Sequence, residues 1–291
     1  MSARACVVFS LLCVAAAGCG AGPGWRAHEM ASIGGFDAPE CAVVDPASGL
    51  VYVSNIATAR EEHWTDDGTG FISRLKAGGI ADVMKWKDST AALPLNGPKG
   101  MCIVADRLYV ADNTRVVCYG LAGDEPGRRI EVPGAKRLND MATDGSSAFV
   151  SDTVTGKVYA IDAKGATREL QGPPSANGIA FFKGRMFGVS WGLHEVYELD
   201  PAGKEEPKPF GLAKHFKGLD GIEVLDDGTF IVTDFVGGKV CTISPDRKTV
   251  HEIIAVHSAA DIGLDRQRRM LYVPSLMSNA VSAYKLEWKK K

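Results

Sequence analysis

The sequence predicts an all-β chain folded as a six-bladed β-propeller and closed by an N-terminal strand in the last blade. Three observations predict it. The first is internal repetition, which gives away ring architectures. Six segments align: PECAVVDPASGLVYVSN, PKGMCIVADRLYVADN, LNDMATDGSSAFVSDT, ANGIAFFKGRMFGVSW, LDGIEVLDDGTFIVTDF and ADIGLDRQRRMLYVPSL. Each holds a short apolar run, a Gly- or Asp-containing turn, and a second run ending in small polar residues. A third run follows each (FISRL, VVCYG, KVYAID, EVYELD, KVCTIS, AVSAYKL), and several have a more polar fourth, such as ATRELQ or TVHEIIA.

The second observation is strand chemistry. Val, Ile, Tyr and Phe fill the runs, alternation is frequent, and turn residues separate them. No segment after the N-terminal leader keeps a helical period over three turns. The third is how the ends account for one another. The last repeat stops after AVSAYKL without a fourth strand, and Arg26 to Ile33 precedes the first repeat without a partner. A ring left open exposes sheet edges, so the N-terminal strand is expected to complete the sixth blade.

The elements follow in chain order. Residues 1–19 read as an export signal: Arg4 is a positive start, Ala5 to Ala17 an apolar stretch too short to span a bilayer comfortably, and small residues follow. Ala16-Ala17-Gly18-Cys19 resembles a bacterial lipobox, with Cys19 as the lipidated residue and Ala16 where Leu or Val is usual. Ordinary cleavage after Ala17 is the other reading. Both place the chain outside the cytoplasm, either lipid-anchored at the bacterial envelope through Cys19 or periplasmic or secreted. Residues 25–288 are then the propeller, a monomer.

With 291 residues, 45% of them hydrophobic, the chain can bury a large core, and a formal net charge of -2 without a long basic stretch argues against a nucleic-acid partner. Cys41, Cys102, Cys118 and Cys241 lie inside apolar runs, with neither disulfide-framework nor zinc spacing, and read as small buried hydrophobes.

In a propeller the first strand of each blade lines the central channel. Its opening positions align as Glu40, Lys99, Asn139, Asn177, Asp220 and Asp261, all polar. Carboxylates and carboxamides converging on an axis need partners. Oxygen ligands without clustered His or Cys favour a hard divalent cation, Ca²⁺ before Mg²⁺ or Mn²⁺, with Zn²⁺ a further alternative. Glu40, Asn139, Asn177 and Asp220 are the candidate ligands, the two carboxylates offsetting the cation's charge. Taken singly, each residue is as easily a turn cap, and Lys99 a partner of Asp261 or Glu40.

The second strands end on the same face, at Asn55, Asp112, Asp152, Trp191, Asp234 and Ser275. Most read as turn-shaping residues, with Trp191 and Asp234 taken as pocket walls. One connection there is long, IATAREEHWTDDGT from Ile56 to Thr69, which suits a lid. Trp64 or His63 is placed to cover the mouth. Its Asp66-Asp67-Gly68 looks like a fragment of a calcium loop but reads better as a turn.

At Pro39-Glu40, Arg137 to Asp140 (RLND), Ala176 to Gly178 (ANG) and Leu219 to Gly221 (LDG), the chain resembles the senescence marker protein (regucalcin)/gluconolactonase-like family of six-bladed propellers. It also resembles exported bacterial relatives at YVSN, GPKGM and NDMATD. The resemblance spans the whole chain after the leader. It implies a calcium-dependent lactonase with Glu40, Asn139, Asn177 and Asp220 holding one divalent metal, and Arg137 contacting substrate. Lys99 at the metal rim and the long loop depart from the sugar-lactonase pattern.

The expected reaction is hydrolysis of a small-molecule lactone or ester, the metal acting as Lewis acid and Asp220 as both ligand and general base. Arg137 and Lys99 would orient the substrate, with Trp191 and Trp64 beside it. His215 and His257, on connections to the same face, are alternative proton shuttles. No GxSxG elbow occurs, which argues against an acyl-enzyme on serine. The rival expectation is an exported, non-catalytic propeller that binds a protein or peptide on this face around a structural calcium.

Overall fold

The computed structural model describes residues 23–122 and 125–290. The leader and Cys19 lie outside the described residues. Six four-stranded antiparallel sheets form the ring. In blade one the strands are Pro39–Val44, Val51–Asn55, Phe71–Lys76 and Ile80–Asp88. Blades two to five begin at Pro98–Val104, Leu138–Thr143, Ala176–Phe182 and Leu219–Val224. Blade four has the shortest outer strand, Lys208–Pro209. Among the described residues, helix is confined to 3-10 turns at Arg60–Glu62, Ala213–His215 and Leu276–Ser278.

The sixth blade closes as the chain ends require. Gly24–Gly34 pairs antiparallel with Ala280–Lys289, from Gly24 opposite Lys289 to Gly34 opposite Ala280, with a bulge between Glu29 and Ala31. Inside it lie Met270–Ser275 and the short first strand Gly263–Asp265.

The alternation in each run has a simple use, because both faces of a blade are covered by neighbours. In the second strand of blade one, Tyr52 packs toward blade two with Met101 and Leu108. Its neighbours Val51 and Val53 pack toward blade six with Tyr272 and Val281. One apolar cluster of this kind fills each of the six blade interfaces. Cys102, Cys118 and Cys241 are buried in three strands of these interfaces.

The register corrects two positions of the sequence alignment. Leu219 opposes Asp234 in blade five, and Ala259 opposes Ser275 in blade six. The residue matching Asp220 in blade six is therefore Ala260, and Asp261 belongs one layer deeper, bridged to Cys41. In blade four Ala176 opposes Ser190, so the second strand ends at Ser190 and Trp191 is the first residue of the turn.

That deeper layer brings the innermost strands very close together. A Cβ on Gly178 would stand 2.3 Å from the Asp220 carbonyl oxygen, and one on Gly100 2.3 Å from Asp140 Cα. Gly178→Ala must therefore push apart the strands carrying Asn177 and Asp220. The expected cost is about 1–3 kcal/mol, read as a lowered urea midpoint with unchanged slope. An unchanged midpoint would show that the strands have room to spare.

Candidate functional site at the channel mouth

Successive first strands carry their opening residues to one mouth of the channel. Glu40, Lys99, Asn139, Asn177 and Asp220 come together there, all buried, and Ala260 completes the ring. Asn177 Nδ2 donates to Asp220 Oδ1 at 2.8 Å and to the Leu219 carbonyl at 3.3 Å. Asn139 Nδ2 donates to Thr153 Oγ1 at 3.0 Å, and that hydroxyl donates to the Ala176 carbonyl at 2.8 Å. Thr153, at the end of its repeat, thus joins blade three to blade four and orients a ring amide.

The electrostatics of this ring are unfavourable as it stands. Burial, and next the Asp220 charge, push the Glu40 carboxyl well above its usual range, with Lys99 opposing. Burial raises Asp220 to about 7, against the pull of the Asn177 hydrogen bond. Glu40 Oε2 and Asn177 Oδ1 are buried and have no hydrogen-bond donor among the described residues. Buried acceptors without donors and paired buried carboxyls are both destabilising. A cation between them would relieve both, and an all-oxygen donor set suits a hard divalent ion. The residues therefore fit the metal that the sequence suggests.

The layer beneath holds a second cluster that the sequence concealed. Cys41, Asp140 and Asp261 place ligand atoms within 4.8 Å of one another. Asp140 accepts the amides of Met141 and Ile179, each at 2.6 Å, and so ties blade three to blade four. Burial first, and then carboxylate neighbours, raise the Cys41 thiol and the Asp261 carboxyl well above their ordinary values. Both hydrogen-bond within the cluster. Cys41 is thus more than the small hydrophobe its run suggested. Below this layer the other end of the channel opens into a cavity of about 310 Å³ lined by Val43, Ile103 and Phe181.

The long loop lies over the mouth from the side of blade two. Gly68 donates its amide to Asn96 Oδ1 at 3.0 Å, and Asn113 Nδ2 donates to the Thr65 carbonyl at 3.0 Å and to Asp66 Oδ1 at 2.9 Å. Arg115 pairs with Asp66 as well. Asp66 is therefore an anchor, and Asp67 caps a turn by accepting from Thr69.

Lys99 is the hub beneath this loop. Its ammonium donates to the His63 carbonyl at 2.7 Å, the Gly97 carbonyl at 2.8 Å and Asn113 Oδ1 at 3.4 Å. It also sits 3.8 Å from the centroid of the Trp64 ring. Neither Asp261 nor Glu40 is its hydrogen-bond partner, although Glu40 is its strongest charge neighbour. Arg137 is exposed, its guanidinium 5.3 Å from the same indole.

The ends of the second strands behave as turn caps. Asp112 accepts the amides of Asn96 and Gly97, and Asp152 those of Lys136, Val154 and Thr155. Asp234 accepts from Lys217, Gly218 and Gly237, and is fully buried, so it is not a pocket wall. Trp191 does stand at the mouth, half-buried, its ring 5.5 Å from that of Phe235. The histidines sit farther out: the His215 carbonyl accepts from Lys239, and His257 is exposed.

No protein-family model matches the sequence, and no curated protein matches it. Solved structures do match. A putative gluconolactonase shares 19% identity at a TM-score of 0.62, covering 91% of this chain and 93% of its own. Luciferin-regenerating enzyme shares 15% identity at a TM-score of 0.62, covering 93% and 98%. A catalytically inactive variant of virginiamycin B lyase from Staphylococcus aureus, solved with quinupristin, shares 12% at 0.61, covering 90% and 99%. The structural neighbours of this chain thus include a gluconolactonase-family protein and other propeller enzymes, and at these identities the likeness is one of fold.

Proposed function

We propose that this chain is an exported, divalent-cation-dependent hydrolase of lactones or related esters, with calcium as the preferred ion. The observation carrying the proposal is the donor-starved ring: two buried carboxyls, Glu40 and Asp220, with Glu40 Oε2 and Asn177 Oδ1 lacking a hydrogen-bond partner among the described residues. A structural turn cap has no reason to leave its acceptors unsatisfied, whereas a cation site has. Glu40, Asn139, Asn177 and Asp220 would hold the ion. When bound, it supplies Lewis-acid polarisation of an ester carbonyl.

The protein's own groups do the rest. Asp220, once deprotonated, would accept the proton of the attacking water. Water oxygen bonds to the acyl carbon, the acyl C–O bond breaks, and the alkoxide is protonated. A lactone gives a hydroxy acid. Arg137 stands exposed at the rim, free to meet substrate oxygens, while Lys99 spends its donors on the lid and acts through it. Trp64 bridges the two cations.

A binding propeller around a structural calcium is the second reading. It is favoured by four apolar side chains exposed on the same face, Val154, Leu193, Val236 and Met277. A lactone panel assayed on protein beginning at Gly20, with calcium and with chelator, separates the readings. Turnover that chelator removes and calcium restores is expected. Solvent ¹⁸O entering the carboxylate identifies hydrolysis at the acyl carbon, and an unsaturated acid carrying no solvent ¹⁸O would identify elimination, a relevant contrast given a lyase among the structural neighbours. Tight calcium binding without turnover would replace the hydrolase by the binding propeller.

A further inference from the structure

The mouth around Asp220 is chemically lopsided. On the side of blades two and three stand Lys99, Arg137 and the Trp64 they share. On the opposite side the wall is apolar. Trp191 packs on Phe235, and Phe235 packs on a small cluster formed by Ile56, Ala260 and Leu276. This cluster is separate from the six that hold the blades together. Its Ala260 is the ring position where the other five blades each present a polar residue.

Backbone geometry brings this wall against the segment that leads into Asp220. Gly218 lies two residues before Asp220, and a Cβ there would stand 3.7 Å from Trp191 Cη2 and 2.6 Å from Val236 Cγ2. The absence of a side chain at Gly218 is what lets Val236 close in, while Trp191 lies at ordinary contact distance from the same point. The apolar character continues outward through the turns of blades three to six, where Val154, Leu193, Val236 and Met277 are 47–58% exposed. Turn positions usually carry Gly, Asn, Asp or Ser. One such residue needs no explanation, but one at the corresponding turn of each of four consecutive blades, continuous with a half-buried aromatic pair, does.

We infer that the ester taken at this mouth carries a large hydrocarbon or aromatic group, laid along Trp191 and Phe235, and that polyhydroxylated lactones are poor substrates. This rests on the hydrolase reading for the word ester, but the apolar subsite is testable without it. A polyol would have to leave hydroxyls unpaired against this wall, whereas a hydrocarbon gains by leaving water.

Two measurements test it. Binding of decanoate, butyrate and gluconate to the calcium-loaded protein is followed by calorimetry, in wild type and in Trp191→Ala and Phe235→Leu. Decanoate is expected to bind about tenfold or more tighter than butyrate, with gluconate the weakest. Either substitution should cut the decanoate-to-butyrate ratio to about threefold or less. In turnover, kcat/KM for δ-decalactone should exceed that for glucono-δ-lactone, and the substitutions should narrow the gap through KM. If no lactone turns over but decanoate binds with this sensitivity, the hydrolase reading fails and the apolar subsite stands. If glucono-δ-lactone is the better substrate and the variants leave the ratio unchanged, the hydrolase stands and this inference falls. Equal binding of the three carboxylates together with binding to phosphatidylcholine vesicles would also overturn it, and would assign the apolar turns to a lipid surface.

Discussion

Asp220→Asn is expected to stabilise the calcium-free protein while abolishing the proposed hydrolysis. The reason is the cost of the carboxyl where it stands. Asp220 is buried beside Glu40, and burial lifts it to about 7, against about 3.8 for an unfolded aspartate. The folded state therefore holds a proton that the unfolded state has already lost. A raised acid of this kind contributes its stability below about 3.8, and that contribution drains away as pH rises through about 7. At pH 8 without metal the protein carries an uncompensated buried charge. Asparagine keeps the shape and still accepts from Asn177, without the charge. A gain of about 2 kcal/mol, or about 5 °C in melting temperature, is expected for the variant at pH 8 in chelator, shrinking at pH 5.

Saturating calcium should reverse the order. Wild type then gains about 2.7 kcal/mol at a hundredfold excess over Kd, and the variant, short of one charged ligand, gains much less. Because the ion must displace the Asp220 proton, wild-type calcium affinity should climb as pH rises through about 7. Turnover in the variant should fall by about a thousandfold or more, since ligand and base are lost together. Thermal melts at two pH values, with and without chelator, check this directly. A calcium-free variant less stable than wild type at pH 8 would show that the carboxylate is already compensated and needs no cation.

Repetition made the ring readable from the sequence, and the places where reading failed share one cause. The repeat register is carried by the apolar runs, while the decisive slip lies at their edges. In blade six Ala259 and Ala260 precede Asp261, and aligning the polar residue with the other polar residues moves the blade by one position. The slip was masked because Gly263–Asp265 is a very short first strand. Blade four slips likewise, with Trp191 drawing attention from the less conspicuous Ser190.

Contacts between blades were invisible for a related reason. Cys41, Asp140 and Asp261 lie in three different repeats, and Phe235 meets Trp191 from the next blade. Nothing local in any of those runs announces a partner in another repeat. Thr153 could have been suspected, as a hydroxyl placed where a second strand ends at the mouth. The anchoring of the lid by Asn96, Asn113 and Arg115 had no such sign.

Lys99→Met is expected to tighten calcium binding and loosen the lid at the same time. Lys99 is the one cation of the ring, and it neighbours Glu40, so an arriving divalent ion must accept a like charge nearby. Burial lowers the Lys99 pKa to about 8, with the Glu40 charge opposing the fall. Removing the ammonium removes that repulsion, and an affinity gain of about tenfold is reasonable for one buried charge at ring distance. The lid responds in the opposite sense. The His63 and Gly97 carbonyls lose their donor, Trp64 loses the cation beneath its ring, and about 1–3 kcal/mol of local stability goes with them. Amide exchange should accelerate across residues 60–66 while the blades stay protected. Methionine retains the length of the stem, so packing is a minor part of the change. The two readouts together identify the role: a residue that binds substrate directly would leave lid exchange untouched, and one that only supports the loop would leave calcium affinity untouched. A Lys99 that does both holds the lid shut with the same charge that tempers the proposed metal site, and its replacement must move both.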